Sequence, residues 1–220
     1  MNIIIMIPAR LGSQRLKHKN LEKINGKPLL QLAAEKAKRV RGVSEVWVNT
    51  ESDILGKIAK QVGVGYHKRP SALANNQATS EDFVNEFLQQ HACDYVVQLH
   101  SICPLITVEE IQGFVNYLSS NKPEILLSCE DIQLECVYNS EPVNFSFNQK
   151  TNSQDLAPIK RISWSICAWN RELFLEAYEF GKCATYSHKI DYFPLSKMSA
   201  HVIKTQEDLD IAKALYELYN

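Results

Sequence analysis

Residues 2–21 read NIIIMIPARLGSQRLKHKNL, and the fold follows from the change of character half-way along. Asn2–Ile7 is a nearly continuous apolar run rich in isoleucine, the composition of a parallel strand covered on both faces. Pro8–Leu21 then turns polar and basic, with Arg10, Arg15, Lys17 and Lys19 placed around Gly12 and Ser13. A buried strand running into such a loop is one way to build a phosphate cradle. Backbone N–H groups face the anion, Gly12 allows close approach of the main chain, and the flanking cations offset charge. The stretch is neither a Walker A motif nor a GxGxxG fingerprint, and a solvated basic turn fits the bare spacing as well.

Working outward, the apolar residues Leu29, Leu32, Ala33, Ala37 and Val40 predict an amphipathic helix over Pro28–Val40. A strand at Glu45–Asn49, a helix at Ile54–Val62 and a short strand at Gly65–His67 lead into a loop over Lys68–Ala78. Ser80 is a plausible cap for a helix over Glu81–Gln90, and Thr107 for one over Val108–Leu118. Between them lies a strand at Tyr95–Leu99. This alternation predicts an α/β fold with a doubly wound, mostly parallel sheet and helices on both faces. Such sheets bind ligands at the carboxyl ends of their strands, so the loops after Ile7, Asn49 and Leu99 are expected to converge on one crevice. Further along, Ile125–Glu130 and Ser163–Trp169 read as strands and Arg171–Phe180 as a helix. Met198–Lys204 reads as a last strand before a helix over Gln206–Leu218, capped by Thr205 with Asp208 three residues on. Trp164 and Trp169, five apart in a strand-like run, are expected on opposite faces. Asp131–Pro158 is polar and irregular, either a linker or an insertion; its Tyr138, Phe145 and Phe147 favour an ordered insertion.

The 220 residues suit one domain, with an insertion at about 131–158. Lys and Arg number 24 against 25 Asp and Glu, so there is no basic excess of the kind that grips long nucleic acid. None of the six cysteines stands in a CxxC pair, and buried reduced thiols are the expectation. No apolar run reaches the roughly 18–20 residues of a membrane span. These features place the protein in the cytoplasm, away from membranes.

The segment IPARLGSQRLKHKNL, followed by GKPLL, resembles the CMP-sugar-acid synthetases, the acylneuraminate and Kdo cytidylyltransferases. Other segments resemble that family in the same order: NTES after the second strand, KRPSALANNQATS, LHSICPLI, NSQDLAP and KTQEDLDIAKAL. The resemblance implies a nucleotide-diphospho-sugar-transferase-like (Rossmann-like) fold. It implies transfer of CMP from CTP to an acidic sugar, sialic-acid-like or Kdo-like, for surface glycan biosynthesis, with release of pyrophosphate. It also implies Mg2+ as cofactor and a homodimer that uses the insertion. By position it makes Lys19 and Arg10 catalytic. Ala9, Arg10, Gly12, Ser13, Asn20, Arg69, Ala78 and Ser80 become nucleotide-binding, and His100, Arg161 and Ser163 substrate-binding.

The chain departs from the family pattern where the metal is held. Val202, Ile203 and Lys204 stand at the family's closing aspartates, Ile102 stands at a further one, and no residue can be assigned to the metal. An ammonium cannot ligate Mg2+, which takes oxygen ligands. Ile106 and the Ser163-Trp164-Ser165 run also differ from the sialic-type pattern. Three readings stay open: an active cytidylyltransferase with an altered acceptor pocket, a nucleotide-binding relative without catalysis, or a cytidylyltransferase for a non-sugar acceptor such as a phosphonate.

Overall fold

The computed structural model describes residues 1–219. A seven-stranded sheet runs through its centre, built from β1 (Ile3–Pro8), β2 (Glu45–Thr50), β3 (Gly65–Lys68), β4 (Tyr95–Leu99), β5 (Ile125–Ile132), β6 (Ile159–Asn170) and β7 (Ile190–Pro194). The order across the sheet is β7-β5-β6-β4-β1-β2-β3. β6 lies antiparallel to both β4 and β5, and the remaining pairs are parallel. The helices are α1 (Leu29–Lys38), α2 (Asp53–Val62), α3 (Ser80–Gln90), α4 (Val108–Asn121), α5 (Arg171–Glu179) and α6 (Gln206–Tyr219).

The isoleucine run explains the two layers. Side chains alternate along a strand. Ile3, Ile5 and Ile7 therefore pack on one face with Leu30 of α1, Leu55 of α2 and Phe114 of α4. Ile4 and Met6 pack on the other with Phe87 of α3 and Phe174 of α5. Each such buried side chain contributes about 1.5–3 kcal/mol. A third cluster joins Leu29 and Leu32 of α1 to Leu209 and Ala212 of α6, with Ile203 between. α1 starts from a hairpin of Lys23–Ile24 with Lys27–Pro28, turned by Asn25 and Gly26 at φ 48° and 75°. That is the Asn-Gly chemistry of a tight two-residue turn.

Four expectations change. Thr79, not Ser80, caps α3: its hydroxyl accepts from the Asp82 N–H while the Asp82 carboxylate takes the Thr79 N–H. Met198–Lys204 is not a strand; the edge strand is β7. Residue 203 instead tucks into the third cluster, and the Ile203 N–H donates to the Ile102 carbonyl at 2.9 Å. β6 begins four residues before the expected strand and carries a bulge, so that its register against β5 jumps between Ile162 and Cys167. Trp164 sits in the bulge at φ 59°. The bulge cancels the simple alternation, and Trp164 packs on the same core cluster as Trp169.

The 131–158 segment is ordered by its own bonds. Asn144 Nδ2 donates to the carbonyls of Leu134 and Ala157, both at 2.9 Å, and its Oδ1 accepts from the Cys136 N–H. A short hairpin pairs Val137–Tyr138 with Glu141–Pro142. Among the described residues no helix is long and apolar enough to cross a membrane.

Candidate active site

β1 is the point where the sheet order reverses: β2 lies on one side and β4 on the other. A crevice opens there beyond the strand ends. The segments after β1, β3 and β4 meet at it, whereas the one after β2, expected there too, contributes no lining residue and braces the β1 loop from behind. Past Pro8 the chain stays attached to β2, the Ala9 N–H donating to the Asn49 carbonyl at 3.0 Å. It then turns tightly, Ser13 N–H to Leu11 O at 3.1 Å. Glu51 holds the turn by accepting from the Leu11 N–H at 2.8 Å. His18, at φ 52°, redirects the chain into a single turn of 3-10 helix, Lys19–Leu21.

That turn places Lys19 and Asn20. Lys19 Nζ donates to the Ile203 carbonyl at 2.9 Å. Asn20 is buried; its Nδ2 donates to the Arg10 carbonyl at 2.9 Å and its Oδ1 accepts from Ser101 Oγ at 2.6 Å. One side chain thus fastens both ends of the basic loop to the loop after β4. Arg69, at the end of β3, is 3% exposed. Its Nε and Nη2 donate to Asn49 Oδ1 at 2.6 Å and Asn49 O at 2.8 Å. Its guanidinium lies 4.2 Å above the Phe83 ring, a cation–π contact. Arg10 Nη1 reaches the loop after β3, donating to Asn75 O at 2.9 Å and Asn76 Oδ1 at 3.2 Å.

The result is a cleft of about 250 Å3. Of the residues singled out from sequence, it brings together Ala9, Arg10, Ser13, Lys19, Asn20, Arg69 and His100. Gly12 is exposed beside it. Ala78 and Ser80 stand off: the Ala78 N–H donates to Asn75 Oδ1 at 2.8 Å, and Ser80 is the exposed first residue of α3. Arg161 is exposed and paired with Glu130 across β5 and β6. Ser163 is buried, its hydroxyl 2.8 Å from Ser128 Oγ. The bulge nonetheless touches the cleft indirectly, because the His100 N–H donates to the Ser165 carbonyl at 3.0 Å. Arg15, Gln14 and Phe83 also line the cleft; Arg15 was visible in the basic run, whereas nothing in the sequence marks Phe83. A larger hollow of about 440 Å3 lies between α1 and α4. Of its two cations, Lys36 and Arg39, Lys36 already donates to the Pro104 and Ile106 carbonyls, and Glu109 lines the hollow as well.

The electrostatics are those of an anion site. Arg10, Arg15, Lys19 and Arg69 line the cleft and no Asp or Glu does. Burial lowers the Lys19 pKa, and Arg15 and Arg10 lower it further, against Asp208. Burial pushes Arg69 down to about 10, which leaves it charged. Burial, with Lys19 beside it, pushes His100 down to about 4, and its enclosed Nε2 has no hydrogen-bond partner. Glu51 Oε2 and Gln98 Nε2 are likewise enclosed and unpartnered. All three belong to the carboxyl end of the sheet, and unpaired polar atoms of this kind gather at functional sites.

The residues here do not fit a protein-held Mg2+. Among the described residues no three His, Cys, Asp or Glu side chains come together to hold a metal. None of Val202, Ile203 and Lys204 lines the cleft, and the Ile203 carbonyl accepts from Lys19.

The sequence model of the cytidylyltransferase family matches residues 4–219. The chain belongs to that family. Among curated cytidylyltransferases, it is 38% identical over 111 residues to a 3-deoxy-manno-octulosonate cytidylyltransferase of Bdellovibrio bacteriovorus, covering 50% of this chain and 43% of the relative. It is 26% identical over 200 residues to an N-acylneuraminate cytidylyltransferase of Streptococcus agalactiae, covering 86% and 48%. The chain thus spans about half the length of the curated relatives it matches. A solved structure of a CMP:2-keto-3-deoxy-manno-octonic acid synthetase complexed with CTP shares the fold over the whole of both chains, with a TM-score of 0.75 at 22% identity.

Proposed function

We propose that this cytidylyltransferase moves CMP from CTP to the hydroxyl of an acidic sugar and releases pyrophosphate. The observation that carries the reading is the convergence of Arg10, Arg15, Lys19 and Arg69 on one cleft with no acid among its lining residues. The names of the relatives, which act on 3-deoxy-manno-octulosonate and N-acylneuraminate, support an acidic acceptor. In this reaction the acceptor oxygen bonds to the α-phosphorus, the bond to the bridging oxygen breaks, and pyrophosphate departs with that oxygen. The acceptor's proton goes to solvent. Lys19 is the group set to meet the developing charge: it is half-buried and oriented by the Ile203 carbonyl, so little reorganisation is needed. The Arg69 side, braced by Asn49 and Phe83, faces the nucleotide.

Incubation with CTP, Mg2+ and a panel of sugar acids, followed by pyrophosphate detection, tests the proposal. Release with one acceptor is expected. Lys19→Ala is expected to lower kcat about 10²–10³-fold while weakening CTP binding far less, because its contribution is greatest in the transition state. Full activity of that variant would remove Lys19 from the mechanism. The absence of carboxylates from the cleft favours a second reading, a nucleotide-binding relative without turnover. CTP binding with no pyrophosphate from any acceptor would select it.

We further propose a homodimer built on the 131–158 segment. Leu134, Val137, Tyr138, Val143 and Phe147 are exposed there, a concentration of apolar surface of the kind that marks an interface.

A further inference from the structure

We infer that the cleft binds its nucleoside triphosphate with the phosphate charge offset by the protein's own cations, so that binding requires no divalent cation. The inference rests on the reading of this cleft as the CTP site. Among the described residues, none of Arg10, Arg15, Lys19 and Arg69 forms an ion pair. The bonds that hold them go to neutral acceptors: Asn75 and Asn76 for Arg10, Asn49 for Arg69, the Ile203 carbonyl for Lys19. Those contacts orient the cations without cancelling their charge.

Donors also remain. A guanidinium carries five N–H groups and an ammonium three. Arg10 uses Nη1, Arg69 uses Nε and Nη2, and Lys19 uses one proton, so Nη2 of Arg10, Nη1 of Arg69 and two protons of Lys19 are left. Arg15 has no hydrogen bond to the rest of the described chain. The cations repel one another in the free protein, and an arriving polyanion relieves that repulsion.

A divalent cation would meet the opposite situation. Mg2+ takes oxygen ligands, ordinarily one or two carboxylates beside the substrate phosphates, and the lining supplies none. The acids that act on these cations lie outside the lining: Glu86 is paired with His67, and Asp208 accepts from the N–H groups of Lys204 and Thr205, both at 2.8 Å. Glu51 Oε1 accepts from Leu11, and although Glu51 Oε2 is unpartnered, Glu51 does not line the cleft.

The experiment is calorimetry on the full chain with CTP, in EDTA and in excess Mg2+, repeated with inorganic tripolyphosphate as a base-free probe. The expected result is that the CTP Kd agrees within about threefold between the two buffers. Tripolyphosphate in EDTA is expected to raise Tm. Arg15→Ala should weaken CTP about tenfold in both buffers, as loss of a charge-assisted contact does. Ile102→Asp places a carboxylate on the lining; it should weaken CTP at least about tenfold in EDTA, with recovery in Mg2+, making the variant metal-dependent where the parent is not. A parent that loses more than threefold in EDTA, or binds only in Mg2+, overturns the inference and leaves the CTP site standing. Failure to bind CTP in either buffer overturns the nucleotide reading itself, and the inference with it.

Discussion

His100 shows what a single side chain at this site costs the fold. Burial first, and Lys19 second, push its pKa down to about 4, against about 6.5 in an unfolded chain. Between those values the unfolded chain binds the extra proton and the folded one does not. Stability from this group is therefore present above pH 6.5 and is lost as pH falls towards 4. Urea midpoints at pH 7 and 4.5 should show the drop, and His100→Gln should show a smaller one; an equal drop would mean that other groups set the acid limit. Most residues that meet in the cleft were legible in the sequence through the family resemblance of their motifs, since the basic run alone fits a solvated turn as well. The clasp between Lys19 and the Ile203 carbonyl was not: 184 positions separate the two, and a backbone acceptor leaves no trace in residue type. The unpaired state of the cations was equally hidden, since a net charge of −1 says nothing about where acids are absent.

Elements were read best where one physical signal acted alone. β4 and the cap of α4 agree with the sequence reading, the first a short buried apolar run, the second a Thr107 box with Glu110. The cap of α3 was misread although its signal was there: Thr79 has an acid three residues on and Ser80 has Phe83, so only Thr79 completes a reciprocal box. Thr79→Ala should lower stability by about 1 kcal/mol, read as a shifted urea midpoint with an unchanged m-value; a changed m-value would mean that the helix end, and Phe83 with it, had come loose. Met198–Lys204 misled because a buried apolar residue in a loop looks the same as one in a strand, while β7 was obscured by Asp191 and Pro194. The bulge in β6 was beyond pattern reading: Ser163–Trp164–Ser165 has nothing that demands positive φ, and only the crossing with β5 and the His100 backbone creates it.

For the molecule as a whole, a mostly parallel sheet with helices on both faces follows from the alternation of strands and helices along the chain. The reversal of β6 does not, because it depends on the long 131–158 excursion folding back at the end of the sheet where it left, with Ile159 paired against Ile132. That excursion carries the dimer proposal. Replacing Tyr138 and Phe147, 73% and 65% exposed, with aspartate together should convert a dimer to a monomer in light scattering at unchanged Tm. A parent that is already monomeric would dispose of the proposal.

The place of β6 between β4 and β5 has a consequence for how the chain is made. Both neighbours leave the ribosome before it does; β4 is buried along its length in the finished sheet and β5 over Ile125–Cys129. Until residues 159–170 follow, β4 and β5 each present an open row of backbone donors and acceptors, with no native partner yet synthesised. Open edges of this kind pair with whatever strand is near. A message truncated anywhere between residues 132 and 158 would therefore yield a product that retains most of the phosphate loop's surroundings and aggregates, and the interval in which a nascent chain most needs a chaperone is the one spent translating the excursion.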